Sequence, residues 1–358
     1  MTRPVVVAAG GTGGHVIPAL AVADVLHARD IPVIWLGTKT GLEARLVPAA
    51  GIDIRWISVA GLRGKNLLET VTAPLKLLRS CMQSIRLIHH LKPRAVLGMG
   101  GFVSGPVGIA ALLLRKPLVL HEQNAVAGMT NRWLSRMATR VFSAWPGSFA
   151  SSSRSTVVGN PVRRDIAQLA AVPRAVEYNS AQPLRLLIVG GSRGASALNE
   201  IVPLAIASLD EAMEIQHQAG MQASEQVRTL YNDAPLASVV VEDFIDDMAS
   251  AYRAADLVIC RSGAMTVTEL SALGMPSILV PFPYAVDDHQ TRNAEHLSKS
   301  GAAVLMPQES LNTESLASVL RGFINDRSKL ETMSNAANQC FSPNAAEAVA
   351  DALIEVSR

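Results

Sequence analysis

The chain has 358 residues, of which 49% are apolar and 17% charged, and a formal net charge of +2. That length holds two domains with a core each, and the composition excludes a disordered protein. The near-balanced charge gives no reason to expect nucleic acid as a partner, and three cysteines without a C-x-x-C pair argue against a disulfide framework or zinc site and fit a reducing cytoplasm. Met1-Thr2-Arg3-Pro4 carries no signal-peptide pattern, and no uncharged apolar run reaches the length of a membrane span, so a soluble or peripheral protein is expected.

Short apolar runs at 5–9, 33–36, 54–58, 95–98, 118–121 and 141–144 read as strands of a first half. Runs at 186–189, 214–217, 239–241, 257–260, 277–280 and 303–305 repeat the pattern in a second half. Continuous apolar strands alternating with helical segments predict parallel sheets covered on both faces, hence two doubly wound α/β domains with ligands beyond the carboxyl ends of the strands. We place an N-terminal domain at 1–160, a C-terminal domain at 161–343, and a closing Ala-rich helix at 344–358. That helix either caps its own domain or crosses back onto the first.

The first strand ends in Gly10-Gly11-Thr12-Gly13-Gly14-His15, and the run at 186–189 ends in Gly190-Gly191-Ser192-Arg193-Gly194. A strand that turns through glycines into a helix exposes unpaired N–H groups at the positive end of the helix dipole, which suits a phosphate. A third such turn, Gly98-Met99-Gly100-Gly101-Phe102-Val103-Ser104-Gly105-Pro106, puts Ser104 forward as an N-cap and suggests that the first domain holds a diphosphate of its own on Gly100, Gly101 and Ser104. Close helix–strand packing is the competing reading of each turn.

His15 stands in the first helical turn, where a neutral imidazole could take a proton from a hydroxyl or simply hydrogen-bond the loop. His121-Glu122-Gln123-Asn124 closes a buried strand, either as a cleft-rim site or as a hydrogen-bonded turn. In the second half Arg261-Ser262-Gly263-Ala264-Met265-Thr266-Val267-Thr268-Glu269 opens another helix, with Ser262 as a candidate cap. Glu269 there is a ribose ligand or a solvent-facing helix carboxylate. Asp287-Asp288-His289-Gln290 would read sugar hydroxyls, or the aspartates would be helix N-terminal charges. No D-x-D motif occurs, so metal dependence is not supported.

Taken in order, Gly10–His15, 100–106, His121–Asn124, Gly159-Asn160-Pro161-Val162-Arg163, 190–192, 261–269 and Asp288-His289-Gln290 resemble the motifs of MurG-type enzymes, over nearly the whole chain. These are bacterial UDP-N-acetylglucosamine (UDP-GlcNAc) transferases that convert lipid I to lipid II in peptidoglycan synthesis. The resemblance implies a GT-B fold of two Rossmann-like domains facing across a cleft. It also implies inverting transfer to the 4-hydroxyl of N-acetylmuramic acid (MurNAc), with no cofactor and no metal. Carried over by position, Thr12, Gly13, Gly14 and Asn124 approach the donor, Arg163 and Ser192 serve its diphosphate, and Ile245 lies against the uracil. Ala264, Met265, Thr266, Val267, Thr268 and Glu269 hold uridine, and Gln290 reads the GlcNAc hydroxyls. His15 is the implied base, with Glu122 second. Arg193 departs from the glutamine common at its place.

The lipid acceptor implies a peripheral enzyme on the cytoplasmic face of the bacterial inner membrane, with cell-wall synthesis proteins as further partners. The leucine-rich segment 67–91, with Lys65, Lys76, Arg79, Arg86 and Lys92, and the run Leu112-Leu113-Leu114-Arg115-Lys116 would meet the anionic leaflet, or pack on their own domain behind a solvated basic edge. Three other readings stay open: a transferase of the same architecture with a different acceptor, a UDP-GlcNAc 2-epimerase, and a non-catalytic UDP-sugar sensor.

Overall fold

Burial on both faces explains the central strands. In Val5-Val6-Val7-Ala8, Val5 and Val7 enter one apolar cluster while Val6 and Ala8 enter another, so both faces of the strand are covered. The computed structural model describes residues 3–59, 67–149, 155–172, 182–191 and 194–357. The chain divides into two compact units: 1–164 with 342–358, and 165–341.

Unit 1 runs β1 (Val5–Ala8), α1 (Gly13–His27), β2 (Val33–Gly37), α2 (Glu43–Ala49), β3 (Asp53–Trp56), α3 (Leu67–Leu91), β4 (Ala95–Gly98), α4 (Gly101–Leu113), β5 (Leu118–Glu122), α5 (Met129–Leu134), β6 (Arg140–Ser143) and β7 (Ser155–Val157). Among the described residues these strands form a parallel sheet in the order β3-β2-β1-β4-β5-β6-β7. β7 was not anticipated: it is three residues of an edge strand, with Val157 46% exposed, and carries no apolar run.

Helix α6 (Arg164–Ala170) leads into unit 2, which holds β8 (Leu184–Val189), α7 (Ser196–Ala207), β9 (Met213–Gln218), α8 (Ser224–Leu230), β10 (Leu236–Glu242), α9 (Met248–Ala254), β11 (Leu257–Cys260), α10 (Ala264–Ala272), β12 (Ser277–Leu279), α11 (His289–Lys299), β13 (Ala303–Leu305), α12 (Thr313–Asn325) and α13 (Ser328–Gln339). Its parallel sheet is ordered β10-β9-β8-β11-β12-β13. The closing helix α14 (Ala345–Glu355) packs on α1 in unit 1, burying Val349, Ala350 and Leu353. Arg29 pairs with Asp351, Arg140 pairs with Glu355 at 3.4 Å, and Arg94 Nε donates to Ser357 Oγ at 2.7 Å.

Strand order reverses between β1 and β4 in unit 1, and between β8 and β11 in unit 2. Loops that leave neighbouring strands in opposite directions at such a point open a crevice at their carboxyl ends. All four glycine turns singled out in the sequence lie there.

Candidate active site

In unit 1 the β1 and β4 loops interlock. Met99 N–H donates to Ala8 O at 3.0 Å, and Ser104 Oγ is shared between the carbonyls of Ala8 (2.8 Å) and Gly100 (2.7 Å). Ser104 is therefore no N-cap. It sits one turn inside α4, buried, and its hydroxyl fastens the two loops together; Gly100 occupies the cap position. Gly101 has φ +75°, and a β-carbon there would collide with Gly10 O, so only glycine lets the loops approach this closely. A β-carbon on Gly100 would lie 2.7 Å from His15 Cδ2.

Thr12 caps α1 by position, without a side-chain bond, and is exposed; Gly13, Gly14 and His15 follow half-buried in the first turn. The imidazole of His15 thus lies against the Gly100 turn, at the rim of the crevice. Neither α1 nor α4 is capped by its own side chain, which leaves their first N–H groups suited to a ligand's oxygens.

The cluster at the end of β5 is a hydrogen-bonded scaffold. Glu122 is buried, and each of its oxygens takes two donors. Oε1 accepts from Asn124 N–H (3.0 Å) and Nδ2 (3.2 Å), and Oε2 from Gly128 N–H (3.1 Å) and Asn131 Nδ2 (2.9 Å). A carboxylate with about four lone-pair sites so occupied has none left for a hydroxyl proton. The arrangement favours Glu122 as the organiser of the 122–128 turn over its role as the alternative base. His121 is fully buried, and burial lowers its pKa to about 4, partly offset by the bond to Gly159 O at 2.8 Å. The neutral ring donates from Nε2 and receives Gln123 Nε2 on Nδ1 at 3.3 Å. Asn160 Nδ2 and Trp145 Nε1 both donate to Gln123 O, tying the 159–160 turn to this strand end. Asn124 itself is half-buried at the turn, and Arg163 is half-buried just before α6.

In unit 2 the corresponding loops follow β8 and β11. A β-carbon on Gly194 would sit 2.5 Å from Ala219 O, so the β8 loop lies against the end of β9. Gly263, not Ser262, caps α10, and it does so without a side-chain bond; the Ser262 hydroxyl donates instead to Gln290 O at 2.9 Å. That bond brings the start of α11 beside the start of α10. Gln290 Oε1 accepts from Phe282 N–H at 2.9 Å, which orders the loop after β12. Asp287 and Asp288, both with positive φ, form an exposed 3-10 turn ahead of Gln290.

Ala264, Met265, Val267 and Thr268 are buried, and Thr268 Oγ1 bonds back to Ala264 O at 2.9 Å. Thr266 is half-buried. Glu269 is not solvent-facing: it is buried, with Tyr252 Oη at 3.4 Å from Oε2. Ile245 is buried beyond β10, its N–H bonded to Gln218 Oε1 at 3.3 Å. Arg261 fans over the Phe282 ring at 5.6 Å and donates to Val280 O, Pro281 O and Gln308 Oε1.

Residues 5–143 match the N-terminal domain model of glycosyltransferase family 28, and residues 185–350 match its C-terminal domain model. A protein of Methylococcus capsulatus named UDP-N-acetylglucosamine--N-acetylmuramyl-(pentapeptide) pyrophosphoryl-undecaprenol N-acetylglucosamine transferase is 51% identical, over 99% of each chain. Its namesake in Alkalilimnicola ehrlichii is 49% identical over the whole of both. The crystal structure of Acinetobacter baumannii MurG matches with a TM-score of 0.83 at 42% identity, over 99% of each chain. The chain belongs to the MurG family of glycosyltransferases. Its two doubly wound units are those of a GT-B enzyme.

Of the MurG-type motif residues, Ser192 and its neighbour Arg193 lie outside the described residues, as does Lys65. Among the described residues no cluster of three His, Cys, Asp or Glu side chains is placed to hold a metal ion. The residue that the motif reading missed is Glu43. It is fully buried beneath the first glycine loop, with Oε2 accepting Gly11 N–H at 2.9 Å. Its only local signal is a carboxylate opening a short helix two residues after Gly41.

Proposed function

We propose that this chain transfers N-acetylglucosamine from UDP-GlcNAc to the 4-hydroxyl of MurNAc in lipid I, giving lipid II and UDP with inversion at the anomeric carbon. The observation that carries the reading is full-length identity of about half with enzymes named for this transfer. The uncapped helix starts at both switch points support it physically.

In this reading unit 2 binds the donor. Glu269 accepts the ribose hydroxyls, Ala264 to Thr268 and Ile245 enclose the uridine, and Gln290 reads the sugar. The turn Gly100–Gly101 and the start of α4 take the acceptor diphosphate, with Ser104 fixing the turn. His15 removes the proton of the 4-hydroxyl as its oxygen bonds to C1. The bond from C1 to the β-phosphate oxygen breaks, and the electron pair leaves with UDP. Negative charge growing on that phosphate is met by the N–H groups around Gly191 and Ser192 and by the Arg163 guanidinium. Thr12, Gly13, Gly14 and Asn124 border the reacting sugar.

No described helix is long and apolar enough to cross a membrane. Helix α3 turns Ile85 and Ile88 toward its own sheet, while Leu75 (69% exposed), Leu78 and Met82 form an outward stripe. Arg79, Gln83 and Arg86 join that stripe around a groove of about 320 Å³. Apolar side chains flanked by cations fit an anionic leaflet at the cytoplasmic face of the inner membrane.

The test is label transfer from UDP-GlcNAc to a short-chain lipid I analogue. Acceptor-dependent disaccharide supports the reading. Conversion of UDP-GlcNAc to UDP-ManNAc without acceptor, or donor binding without turnover, overturns it.

A further inference from the structure

Glu43 has no place in the proposed chemistry, yet it is fully buried and the space around it is made by glycines. A β-carbon on Gly10 would lie 2.6 Å from Glu43 Oε1, one on Gly37 would lie 2.8 Å from its Cγ, and one on Gly41 would overlap its carboxylate. Three backbone positions thus forgo a side chain so that one carboxylate can reach the underside of the loop. There Oε2 accepts Gly11 N–H at 2.9 Å, while Oε1 accepts Thr38 N–H at 2.9 Å and Thr38 Oγ1 at 2.7 Å. The residue before it holds the next peptide, Leu42 N–H donating to Gly11 O at 3.2 Å. Gly11 has φ +96°, and these two bonds hold the peptides on either side of it in a conformation that glycine adopts without the steric cost of a side chain.

We infer that Glu43 is a positioning residue for transfer: through Gly11 it fixes the first glycine loop, and with it His15, three residues from the Thr12 cap. The inference rests on the proposed role of His15. Charge-assisted bonds to backbone N–H groups are strong and directional, and misplacing a reacting group by about 1 Å costs about a hundredfold in rate. The carboxylate holds the β1 and β2 loops in one register, so the base stays oriented when substrate arrives.

The variant Glu43→Gln tests this selectively. An amide keeps one acceptor for Thr38 but turns an N–H₂ toward Gly11 N–H, so the link to the loop is lost while the side chain's volume remains. The expected result is a fall in kcat of about ten- to a hundredfold with KM for UDP-GlcNAc unchanged. Amide exchange should accelerate across 10–15 and stay slow in β2. Thr38→Val removes a different bond of the same carboxylate, and it should leave kcat within about twofold and the 10–15 amides protected. Equal kcat losses in the two variants would reduce Glu43 to ordinary stabilisation, and unchanged exchange at 10–15 in Glu43→Gln would overturn the link itself. The exchange readout stands whether or not the wild-type chain transfers GlcNAc, so it fails separately from the proposed activity.

Discussion

Mild acid should destabilise each unit through one buried histidine. His217, at the end of β9, is fully buried, and burial lowers its pKa from 6.5 to about 3; His121 in unit 1 falls from 6.5 to about 4 for the same reason. His217 is held neutral in a directed chain. Asn199 Nδ2 donates to Ala219 O at 2.9 Å, so its Oδ1 faces His217 Nε2–H at 3.2 Å, and Tyr231 Oη donates to Nδ1 at 2.9 Å. Both pKa values are depressed by folding, so below 6.5 the unfolded chain binds protons that the folded chain does not. Stability is therefore complete above 6.5 and is lost as pH falls toward 4 for unit 1 and 3 for unit 2.

Each histidine costs about 1.4 kcal/mol per pH unit over that window, hence about 2 kcal/mol per unit of the protein at about pH 5. With a urea dependence of about 2 kcal/mol per molar, the unfolding midpoint of each should drop by roughly 1 M between about pH 7.5 and 5. All four tryptophans, Trp35, Trp56, Trp133 and Trp145, fall in unit 1, so fluorescence follows the unit of His121 while circular dichroism follows both. His121→Gln should flatten the pH dependence of the fluorescence transition and His217→Gln that of the other. The same pH slope in wild type and variant would refute the reasoning.

Glu269→Gln should raise KM for UDP-GlcNAc by about tenfold or more with kcat little changed, because a charged acceptor of two ribose hydroxyls is worth about 1.5–3 kcal/mol; steady-state kinetics at varied donor reads it. Glu122→Gln turns an amide toward one pair of its four donors and should destabilise unit 1 by about 2–4 kcal/mol, seen in tryptophan-detected urea unfolding. Turnover in the fraction that remains folded should persist. Leu75→Ser with Leu78→Ser should weaken binding to anionic vesicles at least tenfold, given about 1.5 kcal/mol or more for each inserted leucine, and added salt should weaken the wild type.

The parts legible in the sequence are those encoded locally. Gly10–His15 and the turn at 100–101 can be read because a strand, a glycine turn and a helix start are contiguous, and the two parallel sheets follow from apolar runs alternating with helical segments. The roles of Ser104 and Ser262 were not legible, because their partners Ala8 and Gln290 are distant in the chain. Ala8 meets Ser104 only once β1 and β4 are paired, and Gln290 meets Ser262 only once α11 lies beside α10. A serine near a helix start reads as a cap, and here both hydroxyls fasten loops instead. Glu43 escaped for the same reason: its ligand, Gly11, is 32 residues away in the chain. The Ala-rich helix α14 left its destination open, since the ion pairs that place it come from Arg29 and Arg140, far away in the chain.

The most direct measurement is transfer of labelled GlcNAc to a lipid I analogue by wild type and His15→Ala side by side, with the Kd for UDP-GlcNAc determined on both. A general base contributes about two to four powers of ten in rate, so His15→Ala should lose that much kcat at unchanged Kd, while the wild type makes disaccharide only when the acceptor is present. Equal turnover in the two proteins would contradict the assignment of the base, and no acceptor-dependent product from the wild type would contradict the function itself.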